Sequence, residues 1–135
     1  MILRIRISRD GLDLFDYTLD EEFNALRESG EEVVESAYSM SIFHRVFSNP
    51  KRVEMLYYMI ERNGCRFNEF VRAMDMNPRM VKHNLDIMAR LGLIELRDSL
   101  YKATNLGAVL LAMNLAMTSV VEDRRRGGWR KIPVE

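Results

Sequence analysis

The side chains best equipped for chemistry in this chain are cations set at helical spacing. Between Asn77 and Arg90, the residues Arg79, Lys82, His83 and Arg90 fall off the apolar stripe, with Asp86 among them. Arg and Lys donate hydrogen bonds to phosphate oxygens and guanine edges, and a histidine ring N–H serves either. Bond-making chemistry has no comparable support. There is no nucleophile–base pair, no Gly-rich phosphate loop and no metal-ligand cluster. The single Cys65 excludes an intramolecular disulfide and a Cys-based zinc site, and reads as a small buried hydrophobe between two helices. His44 has no partner ligand and reads as a satisfied structural residue within an apolar helix. Asp13, Asp16, Asp20, Glu21 and Glu22 lack calcium-loop spacing, and read as a solvated acidic face and a helix N-terminus. The expectation is a protein that is not an enzyme, with no metal and no cofactor.

The cations must be held by a well-formed helix. Asn77 is suited to cap it and Pro78 to its first turn. Met76 and Val81 can form a hydrophobic staple. Val81, Leu85, Met88 and Leu91 make one apolar stripe, and Gly92 supplies a left-handed stop. Leu93 to Arg97 and Leu100 to Ala103, hinged at Asp98-Ser99, then read as a small β-hairpin. Upstream, Asn49-Pro50 opens a helix with Val53, Leu56, Tyr57 and Ile60 inward and Gly64 at its end. Phe67 to Met74 follows as a shorter helix, with Phe70, Val71 and Met74 inward. Two short-linked helices before a basic third predict a helix-turn-helix, to which the hairpin adds a wing.

The flanks are of different character. Ile2 to Ser8 and Leu12 to Thr18 alternate around Arg9-Asp10-Gly11, as a hairpin does. Asp20 to Ser29 reads as a short helix with Phe23 and Leu26 inward, broken at Gly30. Glu31 to Phe47 is a longer helix whose stripe is Val34, Ala37, Tyr38, Ser41, Ile42 and Val46. Thr104 caps a last helix to about Glu122, with Leu106, Leu110, Met113, Met117 and Val120 on one stripe and Val109, Ala112, Ala116 and Val121 on another. A helix apolar on two faces is buried on both, so one face wants a partner, most simply the same helix of a second subunit. The expected dimer interface is Val34, Tyr38, Ile42, Leu110, Met113, Met117 and Val120.

The 135 residues sum to zero formal charge, yet they divide sharply. Residues 1–44 carry 4 Arg/Lys against 10 Asp/Glu, and residues 45–135 carry 16 against 10. An acidic half joined to a basic half is a hint of nucleic-acid contact by the latter. Leu106 to Val121, 16 residues with Asn114, Thr118 and Ser119 inside, is short of the roughly 20 apolar residues of a membrane span. With one cysteine and no signal-peptide core, the expected setting is cytoplasmic. Residues 123–135, with Arg124, Arg125, Arg126, Trp129, Arg130 and Lys131, read as a mobile basic tail.

From Phe47 to Val121 the chain resembles the winged-helix transcription regulators of archaea and bacteria, the arsenic-repressor (ArsR-type) group most closely. The resemblance is carried by Asn-Pro-Lys-Arg-Val-Glu-Met-Leu at 49–56, Phe-Asn-Glu-Phe-Val-Arg-Ala-Met at 67–74, Val81-Lys82-His83-Asn84-Leu85, Leu91-Gly92-Leu93-Ile94, and Tyr101 to Thr104 with Gly107. It implies that Arg79, Met80, Lys82 and His83 face the major groove, and that Arg97, Asp98, Ser99 and Lys102 form the wing. Arg66 would join the same positive strip. The Cys-x-Cys pair with which many such regulators sense metal is absent, and Asp75 stands where the family commonly has Gly.

The expected fold is mainly α with a small β component. It is a winged helix-turn-helix domain over 31–122, with an N-terminal acidic extension (hairpin plus helix) over 1–30 and a long C-terminal dimerisation helix. The expected function is that of a homodimeric, sequence-specific regulator of transcription on double-stranded DNA, with helix 78–91 in the major groove. The alternative is a winged helix used for protein–protein contact in a multi-subunit assembly. Ten Met residues at helical spacing read as core rather than as a pocket, so no effector is assigned.

Overall fold

The computed structural model describes residues 3–123, a mainly helical chain with two small antiparallel hairpins. The tail expected over 123–135 lies outside the described residues except for Asp123, and Ile2 of the first strand lies outside them too. Two compact units divide between Ile42 and Phe43.

In the first unit, β1 (Leu3–Arg9) pairs with β2 (Leu12–Leu19) around a turn at Asp10-Gly11, both at positive φ. Leu3, Ile5 and Ile7 lie opposite Leu19, Tyr17 and Phe15, which makes one face apolar. The other face is an ion-pair ladder. Arg4 forks onto Asp16 at 2.7 and 2.9 Å, and Arg6 reaches Asp13 at 2.9 Å with Ser8 Oγ donating to the same carboxylate. The Arg4 and Arg6 hydrogen bonds hold both carboxyls below the usual range. Helix α1 is only Asn24–Glu28, shorter than expected, because Phe23 turns left-handed at φ 57° and Asp20 ties the Glu22 and Asn24 amides ahead of it. Phe23 and Leu26, expected inward, are exposed, since little more than one helical turn cannot present a continuous inner stripe. Gly30 starts α2 (Gly30–Phe47) instead of breaking the chain. His44, expected as a satisfied structural residue, is exposed on that helix.

The second unit holds the core. Asn49 caps α3 (Pro50–Glu61) by accepting from the Lys51 amide at 2.9 Å. The inward face of α3 is Met55, Leu56 and Met59, whereas Tyr57 and Ile60, expected inside, are exposed. Unbranched Met chains fill the centre, and Tyr57 keeps its hydroxyl in water. Asn63, left-handed at φ 55°, stops α3 as the Gly64 amide returns to the Met59 carbonyl at 2.9 Å. α4 (Phe67–Ala73) buries Phe70, which meets the Tyr58 and Tyr101 rings at 6.1 and 6.3 Å. α5 (Pro78–Arg90) buries Val81, Leu85 and Met88 and ends at Gly92, φ 77°. The second hairpin joins β3 (Ile94–Arg97) to β4 (Leu100–Ala103). Cys65 adds a bridge to Tyr101 through two backbone hydrogen bonds of 3.0 and 2.8 Å, so the buried cysteine lies beside a strand rather than simply between helices.

α6 (Asn105–Asp123) starts as expected, with Thr104 Oγ1 accepting from the Gly107 amide. The same hydroxyl donates to the Gly92 carbonyl at 2.6 Å, which ties the start of α6 to the end of α5. Almost none of α6 is buried, and by length and composition it is apolar enough to cross a membrane, contrary to the expectation that it falls short. Asn114, Thr118 and Ser119 each bond back to the carbonyl four residues earlier, which satisfies their polar groups within the helix.

Candidate nucleic-acid interface

The candidate surface is built on α5. Asn77 accepts from the Met80 amide at 2.9 Å, and Pro78 occupies the first turn, so the helix begins cleanly two residues after α4 and its turn end. Asp75 provides that turn with a left-handed residue, φ 50°. Asp tolerates this geometry better than most residues. With Val81, Leu85 and Met88 anchored in the core, the opposite face presents Arg79, Met80, Lys82, His83 and Arg90 to solvent.

The electrostatics of this face are mixed. Lys82 pairs with Asp86 at 3.3 Å, whereas Arg79 and Arg90 make no ion pair among the described residues. An exposed pair such as Lys82–Asp86 contributes about 0–1 kcal/mol, so Lys82 can exchange its carboxylate for a phosphate at little cost. Arg66 is exposed at the N-terminal boundary of α4, where its backbone N–H donates to Glu69.

In the hairpin, Asp98 and Ser99 are both at positive φ, 52° and 64°, as a two-residue turn of type I′ demands. Arg97 and Ser99 are exposed at this tip, Arg97 lying 3.6 Å from Glu95. Lys102 lies on β4, at the base of the hairpin. It is half-buried, its stem lies over Gly64, and it lines a recess with Met59, Ile60, Asn63, Thr104 and Asn105. Of the expected wing contacts, then, Arg97 and Ser99 sit at the tip and Lys102 at the base.

The expected dimer positions are of two kinds. Val34 and Tyr38 are three-quarters exposed, and Met113, Met117 and Val120 are exposed along α6. Ile42 and Leu110 are half-buried, and Leu110 packs on the core of its own unit.

Two residues beneath this surface escape pattern reading. Asn84, 4% exposed, lies on the inward face of α5 and accepts from Arg52 Nε at 2.8 Å. Arg52 also donates through Nη1 to the Arg45 carbonyl at 3.2 Å, near the C-terminus of α2. The available signal was an Asn inside an otherwise apolar stripe, which has to find a partner. The partner lies 32 residues away and carries no mark of its own. Compared with known protein families, curated proteins and solved structures, the chain matches none.

Proposed function

We propose that this protein is a sequence-specific, DNA-binding transcriptional regulator of the winged helix-turn-helix type that acts as a homodimer. The observation that carries the reading is α5 itself. It is capped, anchored on Val81, Leu85 and Met88, and bears outward Arg79, Lys82 and His83, with a tight hairpin directly after it. A helix is the element that fits a major groove, and its outward N-terminal residues are the ones that reach base edges. Arg97 and Ser99 would then touch the backbone.

The dimer would use the apolar stripe that α6 leaves open. Leu106, Met113 and Val120 recur every seven residues and are all exposed, with Val109 and Met117 alongside. On α2, Val34 and Tyr38 are exposed apolar positions of the first unit. A two-fold pair would present two α5 helices to half-sites one helical turn apart.

The test is a fluorescence-anisotropy titration against duplexes selected from a random pool, at two salt concentrations, beside Arg79→Ala/Lys82→Ala. The expected result is tight binding that beats random duplex. In the variant, affinity for the selected duplex should collapse toward that for random duplex, as the loss of base contacts demands. Equal, weak binding to every duplex, unchanged in the variant, would overturn the reading. A second reading, protein–protein contact, is favoured by exposed Met80 on α5 and exposed Leu96 on β3. Capture of a protein partner that Met80→Lys abolishes, with no selected duplex, is the result that would support it.

A further inference from the structure

Two adjacent cations on the first turn of α3, of which Lys51 is exposed and also pairs with Glu54 at 3.7 Å, reach toward the recognition elements. Lys51 Nζ donates to the Met74 carbonyl at 3.2 Å, where the turn between α4 and α5 begins. Arg52 donates to buried Asn84 on α5 and to the Arg45 carbonyl of α2, so one guanidinium joins three helices. The surrounding core is unusually rich in Met. Met55, Met59, Met74, Met76 and Met88 are all buried. Flexible thioether chains fill space well but specify orientation poorly. Burial of Val81, Leu85 and Met88 sets the inward face of α5, and the flexible Met chains around it restrain small rolls less than branched side chains would.

We infer that the Arg52–Asn84 pair is the lock that fixes the roll of α5, and that Arg52 is thereby a positioning residue for sequence discrimination. The inference rests on the DNA-binding reading. With a helix radius of about 5–6 Å including side chains, a roll of about 20° would carry the outward ends of Arg79 and Lys82 by about 2 Å. Hydrogen bonds to base edges tolerate displacements of about 0.5 Å, whereas attraction to phosphate hardly notices 2 Å. Losing the lock should therefore cost specificity and spare general affinity. A role in stability alone would lower the melting temperature and weaken binding to both duplexes alike. Replacing both members of a polar pair by apolar groups of similar shape is often neutral, which separates the two roles.

The test uses the full chain with Arg52→Met/Asn84→Leu, which removes both polar partners together, and with Arg52→Lys, which keeps the charge but not the two-pronged geometry. Each is measured for melting temperature, for affinity to the selected and random duplexes, and for amide hydrogen exchange along α5. The double variant is expected to melt within a few degrees of the parent and to bind random duplex within about twofold. Its preference for the selected site should drop about tenfold or more, the value of one or two base contacts. Arg52→Lys should fall between the two. An unchanged preference ratio in the double variant overturns the lock, and so does an equal loss on both duplexes accompanied by a lowered melting temperature. A parent protein with no preference between duplexes fails at an earlier step, which is a failure of the DNA-binding reading itself.

Discussion

Gly107 is the position where one methyl group should do most damage to the domain. It is buried on the first turn of α6, against the segment that leads into β3. A Cβ there would stand 2.1 Å from the Leu93 carbonyl oxygen, 3.0 Å from its carbon and 3.3 Å from its Cα. All three neighbours are backbone, so no side chain can rotate aside, and Leu93 O is already held by the Thr104 amide at 2.9 Å. Ordinary carbon–oxygen contact needs about 1 Å more, which α6 must supply by lifting off the hairpin. Overpacking of this kind costs about 1–3 kcal/mol, and here it falls at the upper end because the backbone must move. Replacing a helical Gly by Ala normally gains about 1 kcal/mol, so a net loss of about 1–2 kcal/mol is expected for Gly107→Ala. Urea denaturation followed by circular dichroism measures it. For a domain this size the melting temperature should drop by several degrees. A neutral or stabilised variant would refute the close approach of α6 to Leu93. Gly30, with open space around its Cβ, is the control and should tolerate Ala.

Two further outcomes are open to test. Asp13 and Asp16 have folded-state pKa values depressed by their Arg6 and Arg4 partners, so their contribution to the hairpin is complete above the unfolded value near 4. It is lost as pH falls from there through the lowered folded-state values, a transition visible as carboxyl shifts in NMR that moves back toward the usual carboxylate range in Arg4→Gln/Arg6→Gln. If a second copy covers α6, Met113→Cys at the midpoint of the seven-residue stripe should form an intermolecular disulfide and exposed Leu115→Cys, on another side of the helix, should not. Equal cross-linking at both sites would remove the dimer from α6, and flotation of the chain with lipid vesicles would assign the face to a bilayer.

Much of the second unit was legible because its signals are local. Asn77 with Pro78, Gly92, and Thr104 each set a boundary through one or two residues, and each acts where expected. The Asp98-Ser99 hinge is legible for the same reason. What was missed depends on partners distant in sequence. The face that α3 turns inward is chosen by elements yet to come, and it favoured Met55 and Met59 over Tyr57 and Ile60. The bridge from Cys65 to Tyr101 spans the whole helical segment between them, and its hydrogen bonds are backbone, so no side-chain type announces it. In the candidate surface, exposure of Arg79, Lys82 and His83 followed directly from helical periodicity. The half-burial of Lys102 was less legible, because strand alternation gives a face but not which face meets the end of α3.

The distribution of charge ties the two halves of the proposal together. Of the +6 carried by residues 45–135, residues 45–123 account for only +2, with 11 Arg/Lys against 9 Asp/Glu, and residues 124–135 for the other +4. A single domain with so small an excess neutralises few phosphates, and each phosphate contact counts linearly in the logarithm of affinity. In the proposed complex, Arg66, Arg79, Lys82, Arg90 and Arg97 are the exposed cations that one protomer would bring to DNA. A two-fold pair doubles that number, because the second domain binds at the effective concentration set by the first. In the proposed dimer, the large apolar surface on α6 would offset the sparse cations around α5. A protomer this weakly basic would gain from pairing in a way that a strongly basic one would not.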